Sequence, residues 1–214
     1  MTETVVLIFE IIGTIAFSLS GAMVGIKKGM DIFGVVILGL TTAVGGGIIR
    51  DLLLGLTPPA TFQNPLYAIV AVCTAIIIFI PAVRRLFEKR HHIYEITLLV
   101  MDSLGLGVFT VVGVQIAYAA DSGYSTFLIL FVGVITGVGG GVIRDMAAGN
   151  MPYIFVKHFY ACASLGGAAI AIVLWDYLPS PLVMLIGALV VVILRLLAAY
   201  FHWSLPKARQ LEMD

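Results

Sequence analysis

Residues 39–58 read GLTTAVGGGIIRDLLLGLTP, and residues 133–152 read GVITGVGGGVIRDMAAGNMP. A shift of 94 residues lays one on the other, with identity at Gly39, Thr42, Val44, Gly45, Gly46, Gly47, Ile49, Arg50, Asp51, Gly55 and Pro58. Two unrelated apolar segments do not agree to that extent, so the chain carries an internal duplication. Self-similarity at a long period reveals architecture ahead of any single motif. The segments just before these also match, now at a shift of 92: Glu10, Gly13, Phe17 and Gly21 fall on Asp102, Gly105, Phe109 and Gly113. A loop two residues longer in one copy accounts for the change of register.

Composition says what medium the duplication lives in. Hydrophobic residues make up 61% of the 214 and charged ones 11%, with a mean hydropathy of +1.11. A water-soluble domain has nowhere to hide that much apolar surface. The apolar stretches run to about 20 residues, which at ~1.5 Å per residue crosses a hydrocarbon layer of ~30 Å. Spans are predicted at 5–26, 32–55, 65–83, 95–119, 126–148, 153–175 and 181–201, separated by Gly, Pro and charged breakers. The expected fold is an all-α polytopic membrane protein of seven helices. Residues 1–83 form a first three-helix repeat, 84–94 a basic cytoplasmic linker, 95–175 a second repeat, and 176–214 a seventh helix with its tail. Met1-Thr2-Glu3-Thr4 lacks the basic start of a signal peptide, so the first span is expected to be retained.

The basic residues test that count. Lys27, Lys28, Arg84, Arg85, Lys89, Arg90, Lys157, Lys207 and Arg209 all fall on one side of a seven-span arrangement, and the other side has no Lys or Arg. Cytoplasmic loops hold the excess of Lys and Arg, which puts the amino terminus outside and the carboxyl terminus in the cytoplasm. Because each repeat has an odd number of spans, the second enters the membrane from the opposite face, and the repeats are inverted in topology. Arg50, Arg144 and Arg195 remain within spans. Arg195 lies near the cytoplasmic end of the last one, where it is expected to snorkel to the headgroups. Trp175, Tyr177 and Trp203 read as interfacial anchors.

The repeated motif carries the functional signal. Gly45-Gly46-Gly47 and Gly139-Gly140-Gly141 each cost about 1 kcal/mol per glycine against alanine in a helix. Such a run permits either a close helix approach or a break, and a break exposes carbonyls to a permeant cation or water. We expect broken helices. Arg50-Asp51 and Arg144-Asp145 are ionisable groups at membrane depth and hence functional candidates. Thr42, Gly46 and Arg50 share one helical face, as do Thr136, Gly140 and Arg144, giving a hydroxyl, bare backbone and a guanidinium along a pore wall. Depth also predicts charge pairs: Glu10 lies early in one span and Arg50 late in the next, and Asp102 stands to Arg144 in the same way. The alternative for these charges is a structural lock between helices.

Other chemistries find no support. Cys73 and Cys162 make no metal-ligand spacing and read as small buried hydrophobes. There is no phosphate-binding loop and no nucleophile elbow, so no enzyme activity, cofactor or nucleic-acid partner is expected. The basic run Arg84 to His92 sets topology and can attract anionic membrane lipid, including bound lipid.

These motifs, the two copies of Gly-Gly-Gly-x-Ile-Arg-Asp above all, resemble the trimeric intracellular cation (TRIC) channels in their prokaryotic form. The resemblance extends over nearly the whole chain. It implies a homotrimer in the prokaryotic inner membrane, with a pore inside each subunit lined by glycine-broken second and fifth spans. The implied activity is passive permeation of monovalent cations, potassium chiefly and sodium. The chain lacks, at the glycine sites, the lysine-containing motif of animal members. The same domain family has also been labelled a glycine transporter, which gives the second reading, a carrier for a small zwitterion such as glycine.

Overall fold

The structure, a computed structural model, describes residues 2–88, 91–121, 123–156 and 159–203. In chain order it holds α1 (Thr2–Lys27), α2 (Ile32–Leu53), α3 (Ala60–Gln63), α4 (Leu66–Phe79), α5 (Pro81–Glu88), α6 (His91–Ala120), α7 (Thr126–Ala147), α8 (Tyr153–Val156), α9 (Tyr160–Leu174) and α10 (Ser180–Tyr200). Among the described residues there is no strand. Of the basic residues used to assign topology, Lys89, Arg90, Lys157, Lys207 and Arg209 lie outside the described residues.

The duplication is visible in how the elements begin and end. Both α2 and α7 are 22 residues long, and their bounds differ by the 94 residues of the sequence shift. The Asp31 carboxylate caps α2 by accepting from the Gly34 amide at 2.8 Å, and the Ser125 hydroxyl caps α7 by accepting from the Leu128 amide at 3.2 Å. Both helices stop in the same way. Gly55 and Gly149 take φ of +71° and +65°, and the next amides, of Leu56 and Asn150, return to the carbonyls of Asp51 and Asp145, each at 2.8 Å. This is the glycine C-terminal motif that only a residue without Cβ enters cheaply, and it explains why the glycine recurs.

Among the described residues five helices are long and apolar enough to cross a membrane: α1, α2, α6, α7 and α10. The third span of each predicted repeat is shorter. The stretch 65–83 divides into α4, 14 residues long, and α5, because Pro81 lacks an amide and holds Ile80 out of helical geometry at ψ 128°. The stretch 153–175 divides into α8 and the 15-residue α9, with Phe159 between them in the left-handed region at φ 53°. The stretch 84–94, predicted as a linker, is largely helical, since it is taken up by the end of α5 and the start of α6.

The centre of the molecule is where α1, α2, α6 and α7 pack together, with α4 beside α1 and α2, and α9 and α10 beside α6. Phe17 and Phe109, equivalent in the duplication, meet there with ring centroids 5.4 Å apart. The outside is apolar: Phe33, Phe62, Phe127, Phe155 and Val173 are each at least two-thirds exposed. Water would penalise such a surface, and lipid would not. Cys73, expected to be buried, stands exposed on this surface.

Candidate functional site: two acid–arginine clusters flanking a glycine crossing

The glycine runs do not break their helices. α2 is continuous through Gly45-Gly46-Gly47, and α7 through Gly139-Gly140-Gly141. Their role is contact. A Cβ on Gly46 would lie 2.2 Å from the carbonyl oxygen of Thr136, and one on Gly140 would lie 2.1 Å from that of Thr42. Real Cβ atoms do not approach a carbonyl so closely, so α2 and α7 cross at a distance only glycine allows. In lipid, where hydrophobic association is weak, such close backbone packing is a main source of helix affinity. Gly45 and Gly139 are also tight, against Ile143 and Ile49; Gly47 turns toward Arg50 with room to spare, whereas a Cβ on Gly141 would lie 2.8 Å from the Tyr160 hydroxyl.

Thr42 and Thr136 belong to this packing. Each is fully buried, donates its hydroxyl within its own helix at 2.6 Å, to Leu38 and Val132, and presses on a glycine of the preceding long helix, Gly21 or Gly113. The threonine and central-glycine parts of the faces drawn from sequence as pore walls, Thr42 with Gly46 and Thr136 with Gly140, are therefore, in this conformation, helix–helix contacts.

The ionisable groups gather into two clusters, one at each end of the crossing. At the end that holds the start of α1, Arg50 is 4% exposed. Its Nη1 lies 3.6 Å from Glu10 Oε1, and its Nε donates to Asp51 Oδ1 at 2.8 Å. The Tyr67 hydroxyl donates to the other Glu10 oxygen. At the opposite end, Arg144 is wholly buried. Its Nη1 reaches Asp102 Oδ1 and the Ser20 hydroxyl, both at 2.5 Å, and its Nε donates to Asp145 Oδ1 at 2.8 Å. Both acid–arginine pairs expected from depth are thus made.

Asp51 and Asp145 have a second bond each that sequence reading did not anticipate. Asp51 Oδ2 accepts from the Ala60 amide at 2.9 Å, and Asp145 Oδ2 from the Tyr153 amide at 3.0 Å. Each aspartate thereby orients its arginine with one oxygen and ties down the start of the next short helix with the other. Such charge-assisted bonds are roughly twice as strong as neutral ones.

Arg195 is the main departure from expectation. It is 2% exposed, its Nη2 lies 3.9 Å from Asp102 Oδ2, and its guanidinium sits 4.6 Å from the centre of the Tyr160 ring. It does not snorkel, because α10 packs on α6 and α9 and carries the side chain inward. Five residues of α10 follow Arg195, about 7.5 Å of helix, a depth from which an arginine can still snorkel, so the packing of α10 decides. Tyr67, Tyr153, Tyr160 and Ser20, which complete the clusters, carry no motif by which sequence could have found them.

A cavity of about 20 Å³ for the centres of water-sized molecules opens on the first cluster. That volume holds a water or two. Glu10, Thr14, Gly47, Arg50, Thr61 and Tyr67 give it a polar wall, and Phe109 lines it as well. Of the residues proposed from sequence as a pathway, Gly47 and Arg50 reach this cavity, with Glu10. A larger cavity, about 390 Å³, lies between α6 and α10 and is bounded by Arg195, Tyr153, His92 and His202 among others.

Comparisons with known proteins agree with the geometry. Residues 7–82 and 99–176 match a family model described as Glycine transporter, in two blocks that fall on the two repeats. The inner membrane protein YadS of Escherichia coli is 36% identical over 199 residues, 92% of this chain and 93% of its own. A prokaryotic TRIC channel superposes with a TM-score of 0.85 at 33% identity, covering 95% of this chain and all of the other. A trimeric intracellular cation channel orthologue from Rhodobacter sphaeroides superposes with a TM-score of 0.82 at 33% identity, over 94% of this chain and all of the other.

Proposed function

The chain belongs to the prokaryotic TRIC family, whose domain is also described as a glycine transporter, and from that premise we propose that it is a monovalent cation channel with a path inside each subunit. The path enters at the Glu10–Arg50 cavity, passes Phe17 and Phe109 beside the α2–α7 crossing, and leaves past the Asp102–Arg144 cluster. Potassium is its main ion, and the subunits assemble as a homotrimer, as in the Rhodobacter orthologue named for that assembly. The basic end, marked by Lys27, faces the cytoplasm by the positive-inside rule, with the amino terminus outside. The two sets of three helices are inverted repeats about an axis through the glycine crossing.

The observation that carries this reading is the pair of acid–arginine clusters set at opposite ends of one crossing. Each guanidinium is held by two carboxylates, so neither cluster presents unbalanced positive charge to a cation. A bare arginine at membrane depth would repel it. In this conformation Phe17 and Phe109 fill the middle of the path, and conduction requires them to part. Potassium efflux from proteoliposomes tests the proposal. Efflux should follow an imposed voltage and, with an impermeant counter-anion, proceed only when a protonophore carries the compensating charge.

The family description favours one alternative, a carrier for glycine. Clusters on either side of a closed centre also suit alternating access. Labelled glycine uptake that saturates and needs a gradient would select it.

A further inference from the structure

Sequence equivalence makes the two clusters alike, but one helix outside the duplication makes them electrically different. At the amino-terminal end stand two carboxylates, Glu10 and Asp51, and one guanidinium, Arg50, which leaves one net negative charge. At the basic end Asp102, Asp145 and Arg144 repeat that set, and Arg195 of α10 adds a second guanidinium against the Asp102 oxygen that Arg144 does not hold. The basic cluster is therefore neutral. Nothing in the first repeat corresponds to Arg195, since α10 follows both copies.

Resting on the channel reading above, we infer that Arg195 sets the electrical polarity of the pathway, by cancelling the negative charge of one of two otherwise equivalent ion sites. Cations gather at the Glu10 end and not at the Asp102 end, so current entering from the Glu10 end exceeds current entering from the other. Exposed charges such as the Lys27–Glu95 pair contribute little in concentrated salt, where the screening length falls to about 3 Å. Arg195, 2% exposed beside a buried carboxylate, is screened much less by bulk salt. It acts on permeating ions through the field of the cluster and is a positioning and selectivity residue.

The test is the ratio of the larger to the smaller single-channel current at equal and opposite voltages in concentrated, symmetrical potassium chloride. This ratio does not depend on how the protein inserts. In the wild type it should be on the order of two. R195Q uncovers the negative charge at the basic end, so the smaller current should rise and the ratio fall toward one. R195K keeps the charge and should keep the ratio. E10Q removes the opposing charge and should bring the ratio toward one by lowering the larger current, a second arm that stands if R195Q does not fold. A conducting wild type whose ratio is unchanged by R195Q, or by E10Q where R195Q does not assemble, overturns the inference and leaves the channel reading intact. A wild type with no unitary current sinks both.

Discussion

Gly46 and Gly140 meet backbone to backbone: a Cβ on Gly46 would lie 3.5 Å from the Gly140 nitrogen and 2.2 Å from the Thr136 carbonyl oxygen. The relation is reciprocal, with Gly140 as tight against the Thr42 carbonyl. One methyl on either glycine must push α2 and α7 apart. Overpacking of this kind costs ~1–3 kcal/mol, more than the gain of up to about 1 kcal/mol that alanine brings to a helix. G46A and G140A should each lower the thermal midpoint of the detergent-solubilised protein. G47A should not, because the nearest atom to its Cβ would be the far end of Arg50 at 3.7 Å. Thermal aggregation followed by size-exclusion chromatography orders the three, and equal losses from G46A and G47A would contradict the crossing.

The two arginines should differ in what their acids are worth. Asp102 and Arg144 are both buried, and removing one partner of such a pair typically costs about 3–5 kcal/mol; losing Asp102 leaves Arg144 and Arg195 with Asp145 as the one carboxylate of the cluster. D102N should accordingly impair folding severely. Glu10 is 14% exposed at its side chain, sits farther from its arginine at 3.6 Å, and borders a cavity that can hold water. E10Q should cost about 1 kcal/mol or less. Comparable destabilisation by both would mean that the clusters are equivalent locks.

Asp51 and Asp145 tie the ends of α2 and α7 to α3 and α8. D51N and D145N keep shape but put an NH2, which cannot accept, in place of one carboxylate oxygen and remove the charge behind the bond at the other, a loss of roughly 1.5–3 kcal/mol. Hydrogen exchange should show it locally, as faster exchange at the Ala60 and Tyr153 amides. Faster exchange spread evenly over α2 or α7 would argue against an anchoring role.

Much of this arrangement was legible in the sequence. The 94-residue shift identified α2 and α7 as equivalents, and opposing depth put Glu10 with Arg50 and Asp102 with Arg144. What was not legible needed information from distant parts of the chain. A triple glycine reads equally as a break or as a contact, and what decides here is a carbonyl some 90 residues away, that of Thr136 for Gly46. Hydropathy ran through Ile80-Pro81 and Phe159, so two spans looked longer than the helices they contain. Arg195 was misplaced because snorkelling depends on which side of α10 meets α6, which one helix cannot reveal alone. The aspartates' second bonds go to backbone amides, which every sequence position offers.

Phe17 and Phe109 close the centre of the proposed path, each packed over a glycine of the opposite repeat, Gly105 and Gly13. Shortening Phe109 to leucine should raise conductance or open probability while lowering stability by about 1–2 kcal/mol, less than full truncation to alanine. Single-channel recording of F109L with a parallel thermal melt separates the two effects. Reduced stability with unchanged conduction would remove Phe109 from the path.

The central claim, a cation path within this protein, is met most directly by recording the purified wild type in a planar bilayer under a potassium chloride gradient. The account predicts unitary currents that reverse near the potassium equilibrium potential. Electrical silence across voltages and lipid compositions, together with saturable, gradient-dependent glycine uptake in liposomes, would contradict it.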